Sequence, residues 1–448
     1  MDYQSFKNVV IAKCEQMGLN EYELYYQSGS STSIDTFRHE INEFSASEEG
    51  GVCFRCIVNG KMGYASTEEL SAEQAASIVE KAVDNASVLE SEEPVFLCEG
   101  GQEYEPLEVK SYPMPSTDEL VSAVLDMEKK LYAADEAVID GTQANVMLGK
   151  SAVAIYNSKG LDLFYENGYT GMVAVAVVSN GKEMSDDFQV KLGELSKIDT
   201  DAMAEKAVST AKQKLGGEVP PTAVCPVVFD PAAMCSLMGV YASIFSSEAA
   251  QKGLSKLAGK EGQTVASPLV TLVDDPFHPE NPEPINFDAE GCPTHKKNLI
   301  ENGVFQTLLY NMKTAAVAGK KTTGNASKAG YDAPVGIRPF TMYLAGGDMS
   351  EEELLKKAEG GVYINSLGGL HAGANPISGD FSLQSSGFLI RDGKKADFVK
   401  SFTVAGNFYD LLKNITALGN NVTLPRAFGM TAFGSPSVLV ENLSIAGK

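Results

Sequence analysis

Hydrolytic and metal chemistry near neutral pH depends heavily on histidine, and this chain has only four in 448 residues: His39, His278, His295 and His371. A zinc protease helix of the His-Glu-x-x-His type needs two of them one helical turn apart, with a glutamate beside them as base. The closest pair here, His278 and His295, is seventeen residues apart, so no such motif can form. Cys292 and His295 are the nearest approach to a nucleophile and its base, or to a pair of metal ligands. The same two residues also read as ordinary loop positions after Pro293 and Thr294. No serine stands in a Gly-x-Ser-x-Gly elbow. Gly149-Lys150-Ser151 has the end of a phosphate loop without its first glycine, because Ala144 stands there. In Gly368-Gly369-Leu370-His371-Ala372-Gly373, Leu370 replaces the second glycine of a dinucleotide fingerprint. Cys53 and Cys56 lie in an alternating apolar run, where a spacing of three puts them on opposite strand faces. No catalytic residue, metal ligand or cofactor is therefore assigned from these residues.

The elements that would position any site follow from periodicity and turn chemistry. Phe6, Val10, Cys14 and Met17 share a helix face closed by Gly18. Strand-like runs follow at 23–27, 31–37 and 51–58, and Asn59-Gly60 turns the chain into a hairpin. Ser71 to Gln74 reads as a capping box for a helix striped by Ala75, Ile78, Val79, Ala82, Val83, Ala86 and Leu89. A stretch rich in Glu, Gly and Pro then links to a second capping box at Ser116 to Glu119 and a helix through Leu131. Strands are expected at 137–140, 152–156, 161–165 and 169–178, then a helix over about 200–215. After Pro220-Pro221 a strand at 223–229 leads to a helix from Pro231 to about Ser247, capped by Asp230. Beyond it come short strand-like runs at 299–301, 304–310, 361–365, 388–390 and 438–440, and one helix at 350–358. The class expected is α+β: two strands-plus-helix units followed by a β-rich C-terminal domain carrying one packed helix. The expected domains are 1–95, a linker 96–115, 116–218 and 219–448.

Bulk properties exclude several roles. The formal net charge of -23 repels phosphate backbones and argues against direct nucleic-acid binding. The most apolar run, Met172 to Val178, is too short to span a bilayer. With no leader visible and seven unpatterned cysteines, a cytoplasmic protein without membrane attachment is expected.

Several stretches, in order from about residue 20 to 440, resemble the TldD/PmbA family. They are Asn286-Phe287-Asp288-Ala289-Glu290-Gly291 with Asn298 to Val304 and Thr322-Thr323-Gly324-Asn325-Ala326; Asn375 to Ser382 running to Gly387–Ile390; Val404-Ala405-Gly406-Asn407-Phe408 with Leu412–Ile415; and Gly60 to Thr67. Physically these are turn and cap sequences. They could also line a cavity or contact a partner, with Asn375, Ser378, Gly379, Asp380, Phe381, Thr323, Gly324 and Asn325 as the candidates. The resemblance implies that TldD-type chains carry a His-Glu-x-x-x-His helix and a late cysteine ligand. It implies that PmbA/TldE-type chains lack both and pair with a TldD-type chain. Here the corresponding helix, from Pro231, has no histidine, and no cysteine follows Cys292. The resemblance thus implies a PmbA/TldE-like, non-catalytic subunit of a metalloprotease complex of the family once labelled modulator of DNA gyrase. Its partner would be a TldD-like metal-bearing subunit, and its substrates unfolded peptides such as peptide-antibiotic precursors and antitoxins. Two alternatives stay open: an independent peptide hydrolase built on Cys292 and His295, and a homodimeric peptide-binding scaffold.

Overall fold

The computed structural model describes residues 1–90, 93–107, 114–281, 283–426 and 431–448. Residues 108–113 of the expected linker lie outside the described residues, as do 91–92 before it.

Six antiparallel strands form the first sheet: β1 (Tyr22–Phe37), β2 (Glu40–Val58), β3 (Lys61–Thr67), β4 (Gln143–Asn157), β5 (Asp162–Ser179) and β6 (Met184–Leu192). Their order is β3-β2-β1-β4-β5-β6, so strands from both N-terminal units join in one continuous sheet through β1 and β4. Asn59 and Gly60 both take positive φ, 51° and 76°, as the hairpin between β2 and β3 requires. Helices α1 (Tyr3–Met17), α2 (Ala72–Val88), α3 (Thr117–Ala134) and α4 (Thr200–Gln213) make two cores with the sheet. Phe6, Leu24, Phe54 and Ile78 belong to one, and Ile34, Val124, Met172 and Ala207 to the other. Strand alternation turns the intervening residues the other way. Tyr25 and Cys53 therefore pack with Phe287 and Cys292 of the C-terminal region, while Cys56 sits in the helix-side core. The opposite-face expectation for Cys53 and Cys56 holds.

The C-terminal region is built from two strand systems. β7 (Ala223–Phe229), β14 (Val362–Gly368), β15 (Asp380–Arg391), β16 (Lys394–Asn407) and β20 (Val438–Ala446) close into a barrel through the β16–β20 pairing, and β17 (Ile415–Leu418) lies alongside β20. A second sheet runs β10 (Val304–Phe305), β9 (Lys297–Glu301), β8 (Leu272–Asp274), β13 (Thr341–Leu344), β19 (Ala432–Ser435), β18 (Thr423–Arg426); β11 (Ala326–Ser327) pairs only with β12 (Gly336–Ile337). Helix α5 (Pro231–Tyr241) is buried with both systems, and Ala233, Met234, Leu237, Met238 and Tyr241 share one core with Val227, Ile364, Met342 and Phe402.

The mixed α+β class with a β-rich C-terminal region is the one expected, with local differences. The runs at 23–27 and 31–37 are one strand, because the serine-rich middle of β1 is laddered on both sides. Residues 161–165 and 169–178 likewise belong to the single β5. The expected strand at 137–140 is reduced to bridges at Val138 and Asp140, and that at 304–310 to Val304–Phe305. The helix from Pro231 stops at Tyr241, tightens into a 3₁₀ turn over Ala242–Phe245, and restarts as α6 (Ser247–Gln251) under a new cap, Ser246. The region holds further helices besides α5: α7 (Met312–Ala318), α8 (Glu351–Lys357), α9 (Leu370–Gly373) and α10 (Phe408–Lys413). α8 is the one expected at 350–358; α9 and α10 are too short to show a helical period in sequence, and α7 was missed at the same length as α8.

Candidate functional site

The loop from Ala374 to Ser382 forms one wall of an open groove of about 740 Å³, whose other side includes Ser243, Ala249 and Leu254. Its shape is set by local chemistry. Asn375 Oδ1 accepts from the N–H of Ile377 and Ser378 at 2.9 and 3.2 Å, and the Asn375 carbonyl accepts from Gly379 at 2.8 Å. Gly379 has φ 85°, and a Cβ there would lie 2.5 Å from Tyr409 Cδ2. Only glycine fits both demands. The loop is fastened from beneath as well. Tyr241 at the end of α5 donates its hydroxyl to the Gly379 and Asp380 carbonyls at 3.1 and 2.9 Å, and its ring stacks on Phe408 with centroids 4.3 Å apart. Asn407 Nδ2 donates to the Ser378 carbonyl at 2.9 Å and to Asp380 Oδ1 at 2.8 Å. Those bonds, with Ser378 and the nearby Lys256 charge, hold the exposed Asp380 carboxyl below its ordinary value. Ile377 and Leu254, 49% and 43% exposed, converge on this groove. The groove thus offers apolar side chains and a rim of backbone and amide groups.

Thr323, Gly324 and Asn325 are elsewhere and do a different job. Asn325 is fully buried and donates Nδ2 to Asp274 Oδ2 at 2.8 Å and to the Arg338 carbonyl at 3.0 Å. Thr323 Oγ1 donates to Asn325 Oδ1 at 2.8 Å. A Cβ on Gly324 would meet the Pro293 carbonyl oxygen at 2.2 Å, so the chain passes there only as glycine. These residues brace the C-terminal region, and the structure does not bring them to the groove.

The Asp288–Cys292 loop is the other polar concentration. Asp288 Oδ1 accepts from the N–H of Glu290 and of Cys292, both at 2.9 Å, and Oδ2 from the N–H of Ala326 at 2.9 Å. Glu290 Oε2 accepts from the Met312 N–H at 2.8 Å and so caps α7 beside Asn311. Gly291, at φ 78°, lies so close to Leu161 that a Cβ would stand 2.4 Å from Leu161 Cδ1. Burial and mutual repulsion push the Asp288 carboxyl up, and burial pushes Glu290 up against the opposing Arg55 charge. Arg55 itself is paired with Glu23 at 2.7 Å. Donor atoms of Asp288, Glu290 and Cys292 lie within 4.8 Å of one another. They are nonetheless committed to backbone N–H groups and to Cys98, so the cluster reads as a keystone between the first sheet and the C-terminal region. Sequence reading took these residues as turn formers and missed their burial.

The suspected Cys292–His295 pair does not form a nucleophile and base. Cys292 Sγ donates to Cys98 Sγ at 3.2 Å, and that bond, burial and the adjacent carboxylates push its thiol far up. Burial pushes the His295 imidazole down. The other histidines stand apart: His39 against Tyr132, His278 against Tyr343, and the exposed His371 on α9.

Three family models match almost end to end: PmbA/TldA metallopeptidase domain 1 over residues 22–86, the central domain over 110–215, and the C-terminal domain over 222–447. The chain belongs to the PmbA/TldD family. A candidate modulator of a DNA gyrase from Thermotoga maritima is 30% identical, with TM-score 0.89 over 99% of this chain and 100% of that one. TldE from Thermococcus kodakarensis is 26% identical, with TM-score 0.88 over 98% and 99%. A metalloprotease from Methanothermobacter thermautotrophicus is 28% identical over 91% of each chain. Within this family the resemblance sets the metal on the helix that α5 represents here. α5 carries no histidine, and Met234, Leu237, Met238 and Tyr241 on it are buried in the core. The polar side chains lining the groove are Ser243, Asn375, Asp380 and Ser382, with no imidazole or thiolate. The side chains of α5 do not fit the metal-bearing helix that the resemblance implies for TldD-type chains. No helix among the described residues is long and apolar enough to cross a membrane.

Proposed function

We propose that this chain is the TldE-type, non-catalytic subunit of a TldD/TldE-like metalloprotease acting on unfolded peptides, with a TldD-like chain supplying the metal. The observation that carries this reading is α5. The helix that would present the ligands is instead packed with methionine, leucine and tyrosine, and its last residue, Tyr241, serves as a strut for the groove loop. The likeness to a protein named TldE over nearly the whole of both chains supports the same reading. The groove supplies what a peptide-holding subunit needs. Ile377 and Leu254 offer exposed apolar contact area, and Asn375 and Ser382 add polar side chains to the lining. Its lack of a nucleophile and base fits holding rather than cutting.

The test is metal analysis and cleavage of an unstructured peptide by the purified chain, alone and mixed with a TldD-like partner. The expected outcome is no stoichiometric zinc and no cleavage alone, then cleavage in the mixture that exceeds that of the partner by itself. One zinc per chain with cleavage by the chain alone would overturn the reading.

A further inference from the structure

Cys98 and Cys292 are 194 residues apart in sequence, yet their sulfurs lie 3.2 Å apart in the core, each side chain almost fully buried. Cys98 lies in a segment without helix or strand that packs against the keystone loop. That segment is fastened at Cys98 and again six and seven residues beyond it. The Asn157 amide donates to the Cys98 carbonyl at 2.9 Å, Tyr104 donates to the Gly291 carbonyl at 2.8 Å, and Asn286 donates to the Glu105 carbonyl at 2.9 Å. The two sulfurs are therefore held in register from several directions. A disulfide requires about 2.05 Å between sulfurs, so roughly 1 Å of closure suffices. Irregular backbone on the Cys98 side can supply it more readily than the tightly bonded Asp288 loop. Cys53, which shares this core, makes its sulfur hydrogen bond to the Phe54 carbonyl instead.

We propose that Cys98 and Cys292 are a thiol pair that hydrogen peroxide converts to a disulfide and dithiols restore, clamping residues 93–107 onto the C-terminal region. Cys98 lies on the irregular segment while Cys292 is locked into the Asp288 loop, so Cys98 is the sulfur that attacks first. Its sulfur displaces one peroxide oxygen as water and becomes a sulfenic acid. The Cys292 sulfur then attacks Cys98, forming the S–S bond and breaking the S–O bond, and its proton leaves with the hydroxyl as a second water. Two thiols and one peroxide become one disulfide and two waters. A cavity of about 310 Å³ lies between the two segments, lined by Tyr104 and Glu105 on one side and by Pro293 and His295 on the other. The clamped segment also supplies Pro94, Val95 and Phe96 to a larger cavity shared with Arg55 and Glu290. Oxidation would thus fix one wall of that space.

The experiment treats the full chain with hydrogen peroxide, blocks remaining thiols by alkylation, and maps unreduced peptides by mass spectrometry. The expected product is one cross-linked species carrying Cys98 and Cys292, lighter by two hydrogens and released by dithiothreitol. Oxidation should raise the melting temperature by a few degrees, because the bridge closes a long loop of the unfolded chain. Cys98→Ser should abolish both effects, and Cys53→Ser should abolish neither. Mapping on the unaltered chain needs no variant, so a misfolded substitution leaves the test intact. Recovery of Cys98 and Cys292 as alkylated thiols or separate sulfinic acids would overturn the proposal. So would a Cys98–Cys53 bridge, or a zinc ion retained on the pair and shielding it from peroxide.

Discussion

The groove loop, Asn375 to Ser382, and the keystone loop, Asp288 to Cys292, are written in the same residues: a carboxylate or carboxamide, small side chains, and a glycine at positive φ. Both fold by turning a side-chain oxygen back onto backbone N–H groups. They differ in what surrounds them. Asp380 is exposed and Asp288 is 2% exposed. In the groove loop the polar bonds shape a surface and leave Ile377 free to be used. In the keystone loop the same bonds replace solvent for an entire junction. Turn chemistry therefore announces a bend, while burial decides whether the bend is structure or surface.

The comparison breaks most visibly at Asp288. Asp288→Ala leaves three buried N–H groups without an acceptor and should cost about 3–5 kcal/mol of unfolding free energy, read as a shift in the urea midpoint. Asn375→Ala, at the equivalent point of the exposed groove loop, should shift that midpoint far less. Gly379→Ala comes next. With φ 85° and Tyr409 in the way, it should cost about 1–3 kcal/mol and increase proteolytic nicking near residue 379.

A smaller effect separates the two loops by pH. Burial raises Glu290 and Asp288 above ordinary carboxyl values, so their share of stability is fully present below about pH 4 and is lost as pH rises through their folded values. Asp380 is lowered, so its share is present above the unfolded value and is lost as pH falls through the folded one. Melting temperature against pH should therefore decline less steeply on the alkaline side in Glu290→Gln, which keeps the acceptor for Met312. An unchanged slope would show that the pair does not titrate as a buried unit.

The smallest change in stability belongs to Ile377→Asp, within about 0.5 kcal/mol of the parent chain. That same substitution should weaken capture of an unstructured peptide by roughly tenfold or more, if Ile377 is an apolar anchor. Undiminished peptide binding, measured by fluorescence anisotropy in the complex with a TldD-like partner, would remove the groove from the proposed function.

The legible parts of this molecule were those governed by neighbours in sequence. Ser71, Ser116 and Asp230 cap their helices as their side chains allow, and Asn59-Gly60 turns its hairpin. β1 was illegible as a single strand because Ser28 to Ser30 look like a loop. Ladder bonds to β2 and β4, from residues far along the chain, make it continuous. Of the candidate site, the groove loop was visible as a loop, but Ser243 and Leu254 opposite it were not, since nothing local distinguishes them. Thr323 to Asn325 were grouped with the groove residues because both are glycine-centred turns. Asn325 proved to be a buried strut of Asp274.

By itself the sequence determined what this chain cannot assemble. Four scattered histidines and no cysteine after Cys292 rule out a His-Glu-x-x-x-His helix with a late thiolate, since such a set needs residue types at fixed spacings. It also determined the caps, the hairpins and the α+β class, which depend on interactions within a few residues. Only the tertiary structure decided that Cys98 meets Cys292, that Asp288 carries a junction, and that Tyr241 holds up the groove. Those depend on which faces of the sheet and barrel are brought together. A side chain's solvation, and with it its chemistry, is fixed by neighbours that arrive from the far ends of the chain.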